Sequence, residues 1–157
     1  VYKVNPPLRT AEDVEAVRAG LADGTIDIVA TDHAPHPRED KDCEWAAAAM
    51  GMLGLETALS VVIETMIDTK RLSWREVAEK MSANPARIGR VTGQGQPIEI
   101  GSQANLCIVD AEANWVVDPL TLASRSRNTP YAAREMRGRV VATFFRGRAT
   151  VLGGSLV

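Results

Sequence analysis

The sequence is poor in the residues that usually advertise chemistry. Its 157 residues include only two histidines and two cysteines. Cys43 and Cys107 lie far apart. Neither has metal-ligand spacing to another Cys or His, so neither a disulfide framework nor a cysteine-rich metal knot is expected. Such cysteine usage fits a reducing, cytoplasmic compartment. Cys43 follows His36 in the same stretch, which leaves a ligand role open beside the default reading of an inert thiol. Aromatic residues make up only 4%, which argues against a stacking platform for single-stranded nucleic acid. Neither sign of charge dominates. A net charge of −2 gives no electrostatic reason to expect nucleic acid or an anionic membrane as partner. No apolar run reaches the roughly 18 residues needed to span a bilayer, and no signal peptide opens the chain. An initiator Met is also missing, and Val1 begins inside what reads as a strand. The sequence therefore reads as a piece of a longer polypeptide. A Gly-rich phosphate loop and a nucleophile elbow are absent as well.

What is present describes a soluble globular protein, 45% apolar and 24% charged, long enough for one ordinary domain with a core. Residues 1–4 read as the end of a strand, broken by Pro6-Pro7. Thr10 and Asp13 form a capping-box-like start for a helix over 11–22, which Asp23-Gly24 ends. The apolar run 26–31 reads as a buried parallel strand. Strand–helix–strand with short connections is the signature of a parallel α/β unit. Residues 37–45 are charged and irregular, a solvated surface loop or, alternatively, a substrate lid. Helical spacing predicts a helix over 55–68, whose Leu55, Leu59, Val62, Ile63 and Met66 belong to a core. Ser73 and Glu76 cap a helix over 74–81, and Asn84-Pro85 starts another through Ile88. Near residue 93 the character changes. A turn-rich linker at 93–97 leads into short strands at 104–110, 115–118, 140–146 and 150–152. The expected division is 1–93 and 94–157, with the second part β-rich.

Both histidines fall in one loop, directly after the 26–31 run: Thr31-Asp32-His33-Ala34-Pro35-His36. Catalytic groups of parallel α/β proteins sit at the carboxyl ends of their strands. Asp32 can serve as metal ligand, general base or both, and also as a plain turn cap. His33 and His36 can act as metal ligands, as substrate donors or as support for other groups. One Asp and two His in one loop do not make a structural zinc site. A catalytic zinc would need ligands from outside residues 1–157. Asn5 is an exposed amide before Pro-Pro, either a substrate contact or a turn residue. Arg9 could clamp a carboxylate but reads more simply as solvent-facing.

The order of several short motifs adds to this. Asn5-Pro6-Pro7-Leu8-Arg9, then Thr31 to His36, then Gly51-Met52-Leu53-Gly54-Leu55-Glu56-Thr57 resemble the carboxyl-terminal portion of the dihydroorotases, within the amidohydrolase superfamily. Asn84-Pro85-Ala86-Arg87 and Ser126-Arg127-Asn128-Thr129-Pro130-Tyr131 resemble the same family. Ala34-Pro35-His36 separates the chain from hydantoinases and dihydropyrimidinases, which resemble it at the Asp-His pair but continue with Cys-Pro-Phe, and from allantoinases, which carry Ser-Pro-Cys.

The resemblance implies an α/β fold: the last two strand–helix units of a (β/α)8 TIM barrel, followed by part of a small β-sandwich. It implies reversible, zinc-dependent cyclisation of N-carbamoyl-L-aspartate to dihydroorotate in de novo pyrimidine synthesis, with one or two zinc ions. By position, Asp32 matches a zinc ligand that is also the general acid/base, His36 a contact to the substrate carboxylate, and Asn5 a substrate-binding asparagine. Met50 and Gly51 match a dipeptide whose backbone contacts the pyrimidine ring, with Met50 where Phe is common. His33 has no family role to carry over and is taken as supporting structure. The remaining metal ligands of the family belong upstream, so this piece alone is expected to be inactive. The expected partners are the small-molecule substrate, a second copy of the chain and aspartate transcarbamoylase. Two other readings stand beside this one: a non-catalytic dihydroorotase-like scaffold for aspartate transcarbamoylase, and a related cyclic-amide hydrolase.

Overall fold

The computed structural model describes residues 1–157. Its first half is helical and its second half is one antiparallel sheet. Helix α1 (Ala11–Asp23) begins as the sequence predicts. The Thr10 side chain accepts from the Asp13 N–H, and the Asp13 carboxylate accepts from the Thr10 N–H in return. This reciprocal pairing satisfies donors that the first helical turn leaves open. A short helix α2 (Arg38–Lys41) interrupts the charged loop.

The predicted helix over 55–68 starts later, as α3 (Ala58–Val62), and continues as a π-helical turn over Ile63–Ile67. The capping box of Ser73 and Glu76 opens α4 (Trp74–Ala78). It runs through a second π turn, Glu79–Ala83, into α5 (Asn84–Ile88). The wider π turn precedes Pro85, a residue that cannot donate the bond of a regular helix. Leu21, Val62, Met66, Leu72 and Val77 form the buried cluster among these helices, with Ile26 and Val29 packed against it.

The two predicted strands of this half do not pair into a sheet. Residues 26–31 are tied to the helices instead. Val29 N–H donates to Lys80 O at 3.1 Å, and the buried Lys80 ammonium donates to Ile26 O at 2.8 Å. The Asn84 side chain donates to Asp27 O at 3.0 Å. The only bridge nearby is parallel and joins His33 to Met52. The apolar pattern of 26–31 does mark a segment covered by helices, but a strand also needs a pairing neighbour, and this chain supplies none for 1–4 or 26–31.

In the second half, strands β1 (Leu106–Val116), β2 (Glu135–Phe145), β3 (Arg148–Leu152) and β4 (Ser155–Leu156) lie in that order. The strands expected at 104–110 and 115–118 are one strand. Its pairing with β2 slips between Asp110 and Asn114. There the Asp110 carboxylate accepts from the N–H groups of Glu112 and Ala113 at 3.0 and 3.1 Å. The bulge satisfies its own donors, so pairing resumes beyond it.

Sheet and helices meet at Gly138. A Cβ there would stand 2.1 Å from Ile63 Cδ1, so only glycine admits this approach. The Ser60 hydroxyl and the Trp115 indole N–H both donate to Gly138 O, at 2.8 and 3.1 Å. No helix is long and apolar enough to cross a membrane.

Candidate active site

Asp32 is the one site residue whose backbone is unusual for its type. Its φ is +44°, in the left-handed region that Asp tolerates better than most residues. This reverses the chain after the 26–31 segment and leaves the carboxylate exposed. None of the salt bridges in the chain involves it. Asp32 shares the wall of a cavity of about 300 Å³ with Asn5, Thr31, Gly51 and Tyr131. Three of the predicted site residues, Asn5, Asp32 and Gly51, thus meet from three separate segments.

His36 and Met50 stand beside that cavity and are bonded to each other. His36 Nε2 lies 2.8 Å from Met50 O. A carbonyl only accepts, so Nε2 carries the proton and Nδ1 is the ring's free nitrogen. The Gly51 backbone is already engaged: its N–H donates to Lys3 O at 2.9 Å. Its carbonyl accepts from Lys41 Nζ at 3.0 Å and Asn128 Nδ2 at 3.3 Å. With the Met50 carbonyl held by His36, what the dipeptide keeps open is the Met50 N–H.

His33 has a different task. Its Nδ1 accepts from the N–H groups of Gly54 and Leu55, both at 3.2 Å. A nitrogen accepting two donors is unprotonated, so in the neutral ring the proton sits on Nε2. Neither nitrogen then offers a lone pair to a metal. His33 instead ties the Asp32 loop to the segment leading into α3. His33→Ala leaves two amides without an acceptor and is expected to cost about 1 kcal/mol of stability. Asn places its Oδ1 where the imidazole Nδ1 stood, so His33→Asn should recover most of the loss. Denaturant midpoints of the full-length protein measure both; equal losses would show that ring packing, not the acceptor, matters.

Arg9 faces solvent and pairs with Asp13 at 3.3 Å, as the simpler reading had it. Cys43 is an exposed free thiol, 3.6 Å from Asp40 O. No three His, Cys, Asp or Glu side chains in the chain converge as a metal site. The donor set fits one position of such a site: Asp32 presents an exposed carboxylate, a hard oxygen donor, at a cavity wall.

The sequence reading missed the groups that hold this site together. Lys41, in the charged 37–45 loop, is half-buried and donates to Ala49 O at 2.7 Å as well as to Gly51 O. Lys3 donates to the carbonyls of Trp45 and Ala46 at 2.7 and 2.9 Å. Asn128 is buried among the loops. A charged loop and a polar motif carry no local mark of these partners, which are backbone carbonyls.

A helix-packed segment thus ends in an Asp with left-handed backbone, at a cavity completed by distant loops. The sequence model of the amidohydrolase family matches residues 4–150, and the chain belongs to that family. Among its relatives, the dihydroorotase of Streptomyces coelicolor is 67% identical over 99% of this chain and 36% of its own length. The dihydroorotases of Leifsonia xyli and Mycobacterium tuberculosis are 60% and 53% identical over the same shares. The chain thus spans about a third of the curated relatives it matches. Among solved structures, the L-hydantoinase (dihydropyrimidinase) of Arthrobacter aurescens superposes with a TM-score of 0.88 at 33% identity. That match covers 99% of this chain and 35% of the other. The dihydropyrimidinase of Brevibacillus agri, at 20% identity and a TM-score of 0.90, shares the fold.

Proposed function

We propose that this chain is the carboxyl-terminal part of a dihydroorotase, a cytoplasmic enzyme of pyrimidine synthesis that interconverts N-carbamoyl-L-aspartate and dihydroorotate. The observation that carries the reading is the cavity walled by Asn5, Asp32 and Gly51, in a chain 67% identical to one dihydroorotase along nearly its whole length. Residues 1–93 would be the last two strand–helix units of a (β/α)8 barrel, and 94–157 part of a β-sandwich. The lack of a pairing neighbour for 26–31 supports a place in a larger barrel. So does the accessible surface of 10613 Å² for 16.9 kDa, against about 7,700 Å² for a compact domain of that mass. Ile98, Ile100 and Leu120 are among the large side chains left bare, and further polypeptide would cover such surface.

In this reading Asp32 contributes one ligand to a zinc site whose other ligands come from upstream. The metal, when bound, polarises a carbonyl and makes water nucleophilic at neutral pH. Asp32 holds the proton removed from the attacking water at a carboxylate oxygen and delivers it to the leaving ring nitrogen as the amide bond breaks. His36 and Asn5 orient the substrate. With Nε2 committed to Met50 O, His36 meets the substrate carboxylate through Nδ1, which donates only in the doubly protonated ring. The Met50–Gly51 dipeptide would contact the pyrimidine ring through the Met50 N–H, the one backbone group of the pair left without a partner. A second copy of the chain and aspartate transcarbamoylase are the macromolecular partners this reading carries.

A related cyclic-amide hydrolase is the second reading, supported by the 33% identity to an L-hydantoinase. The sequence Ala34-Pro35-His36 and the higher identity to dihydroorotases favour the first. The test compares ring opening of dihydroorotate, hydantoin and dihydrouracil by the full-length zinc-loaded protein. Dihydroorotate should be the preferred substrate by kcat/KM, and residues 1–157 alone should be inactive. Faster opening of hydantoin or dihydrouracil would overturn the assignment; absence of all three activities would favour a scaffold subunit.

A further inference from the structure

We infer that Asn128 is a positioning residue of this site, holding His36 and Gly51 in register from the segment that leads into the sheet. The inference rests on the dihydroorotase reading for its kinetic consequence, and on geometry for the rest. Asn128 lies 92 residues from His36 and 77 from Gly51 in sequence, and only 5% of its surface is exposed. Its Oδ1 accepts from the His36 N–H at 3.3 Å. Its Nδ2 donates to Ala34 O at 2.9 Å and to Gly51 O at 3.3 Å. Its own backbone carbonyl accepts from the Leu53 N–H at 3.2 Å. One residue thus clamps 34–36 to 51–53.

The orientation of the amide is not in question, because its partners fix it. Carbonyls only accept and an N–H only donates, so oxygen must face His36 and nitrogen must face Ala34 and Gly51. A primary amide taken out of water is costly unless its bonds are replaced, and here the side chain finds three. No other residue type supplies one acceptor and two donors on a short planar group. Asp would keep the bond from His36 but turn a carboxylate toward two carbonyl oxygens. Leu would fill the space and make none of the bonds.

Asn128 does not hold the loops alone. Ala34 N–H donates to Met52 O at 2.9 Å, and His36 is bonded to Met50 O. Loss of Asn128 should therefore loosen the two substrate-contacting segments relative to each other without unfolding them. His36 and Gly51 bind substrate in this reading, so the expected loss falls on KM more than on kcat.

The test uses the full-length zinc-loaded enzyme and dihydroorotate. Asn128→Ala and Asn128→Asp should each raise KM by about tenfold or more, with kcat changed far less and zinc content unchanged. Because both residues act on one contact, Asn128→Ala combined with His36→Ala should lose less in kcat/KM than the product of the single losses. Unchanged KM in variants that merely melt earlier, or fully multiplicative losses, would overturn the inference. Amide hydrogen exchange in the wild-type protein gives a readout independent of turnover and of the variants' folding. The His36 and Leu53 amides should be protected together, and exchange at unprotected rates would also overturn it. If the wild-type protein fails to open dihydroorotate, the functional reading fails, and exchange alone then decides whether Asn128 holds the loops.

Discussion

Asp32→Asn in the full-length protein is expected to lower kcat by about 10²–10⁴-fold, the range lost when a positioned proton carrier is removed. The substitution isolates chemistry from folding. Asn has nearly the same shape as Asp and adopts left-handed backbone as readily, so the φ of +44° is no obstacle to it. None of the salt bridges in the chain involves Asp32, so none is broken. What disappears is the negative charge, and with it the proton acceptor and a strong oxygen ligand. Thermal melting should therefore stay close to wild type in the metal-free protein, while zinc content falls along with turnover. A variant retaining more than a tenth of wild-type kcat at full zinc occupancy would exclude Asp32 as the proton carrier.

Gly51→Ala should be the most damaging single methyl group in the site. The glycine sits at φ +127°, a conformation that costs an L-residue about 1–3 kcal/mol. A Cβ built there would lie 2.4 Å from the Ala34 Cβ and 3.1 Å from His36 Nε2. Both neighbours belong to the loop that carries Asp32. Forcing them apart adds an overpacking cost of about 1–3 kcal/mol. It also displaces the imidazole from Met50 O. Loops misplaced by an ångström lose on the order of 10²-fold in rate, so kcat/KM should fall at least that far, with an earlier thermal transition. Ala34→Gly in the same molecule removes the nearer clash but not the backbone strain, and should restore part of the stability. Wild-type kinetics in Gly51→Ala would show that this approach of the two loops is not needed for function.

The pattern of success along the chain has a physical cause. Features that depend on residues a few positions apart were legible. The capping boxes at Thr10 and Ser73, the start of α5 at Asn84 and the β-rich character after 93 all follow from local chemistry and short-range periodicity. The meeting of Asn5, Asp32 and Gly51 at one cavity came from motif order and resemblance, not from local pattern. Strand pairing was less legible, since it depends on what lies alongside. The run 26–31 has the composition of a buried strand, yet its hydrogen bonds go to Lys80 and Asn84. Conversely, residues 111–114 lie between two expected strands, yet apolar and polar residues alternate through them and the strand continues, with Asp110 bridging the slip in pairing.

The sequence by itself determined the starts of the three helices with a local start signal, at Ala11, Trp74 and Asn84, the division into a helical and a β-rich half, and the residue types gathered in the Asp32 loop. It could also name the family, because the motifs stand in the family's order. Only the tertiary structure decided how the two histidines divide their work. His33 Nδ1 accepts from two backbone amides and so serves the fold, whereas His36 keeps Nδ1 free beside the cavity. It also decided that Lys41, in a charged loop, and Asn128, in a motif that carried no role, grip the carbonyls of the site loops. The reason is common to these cases: the partners are backbone groups between 10 and 94 residues away, and every residue type presents the same carbonyl and amide.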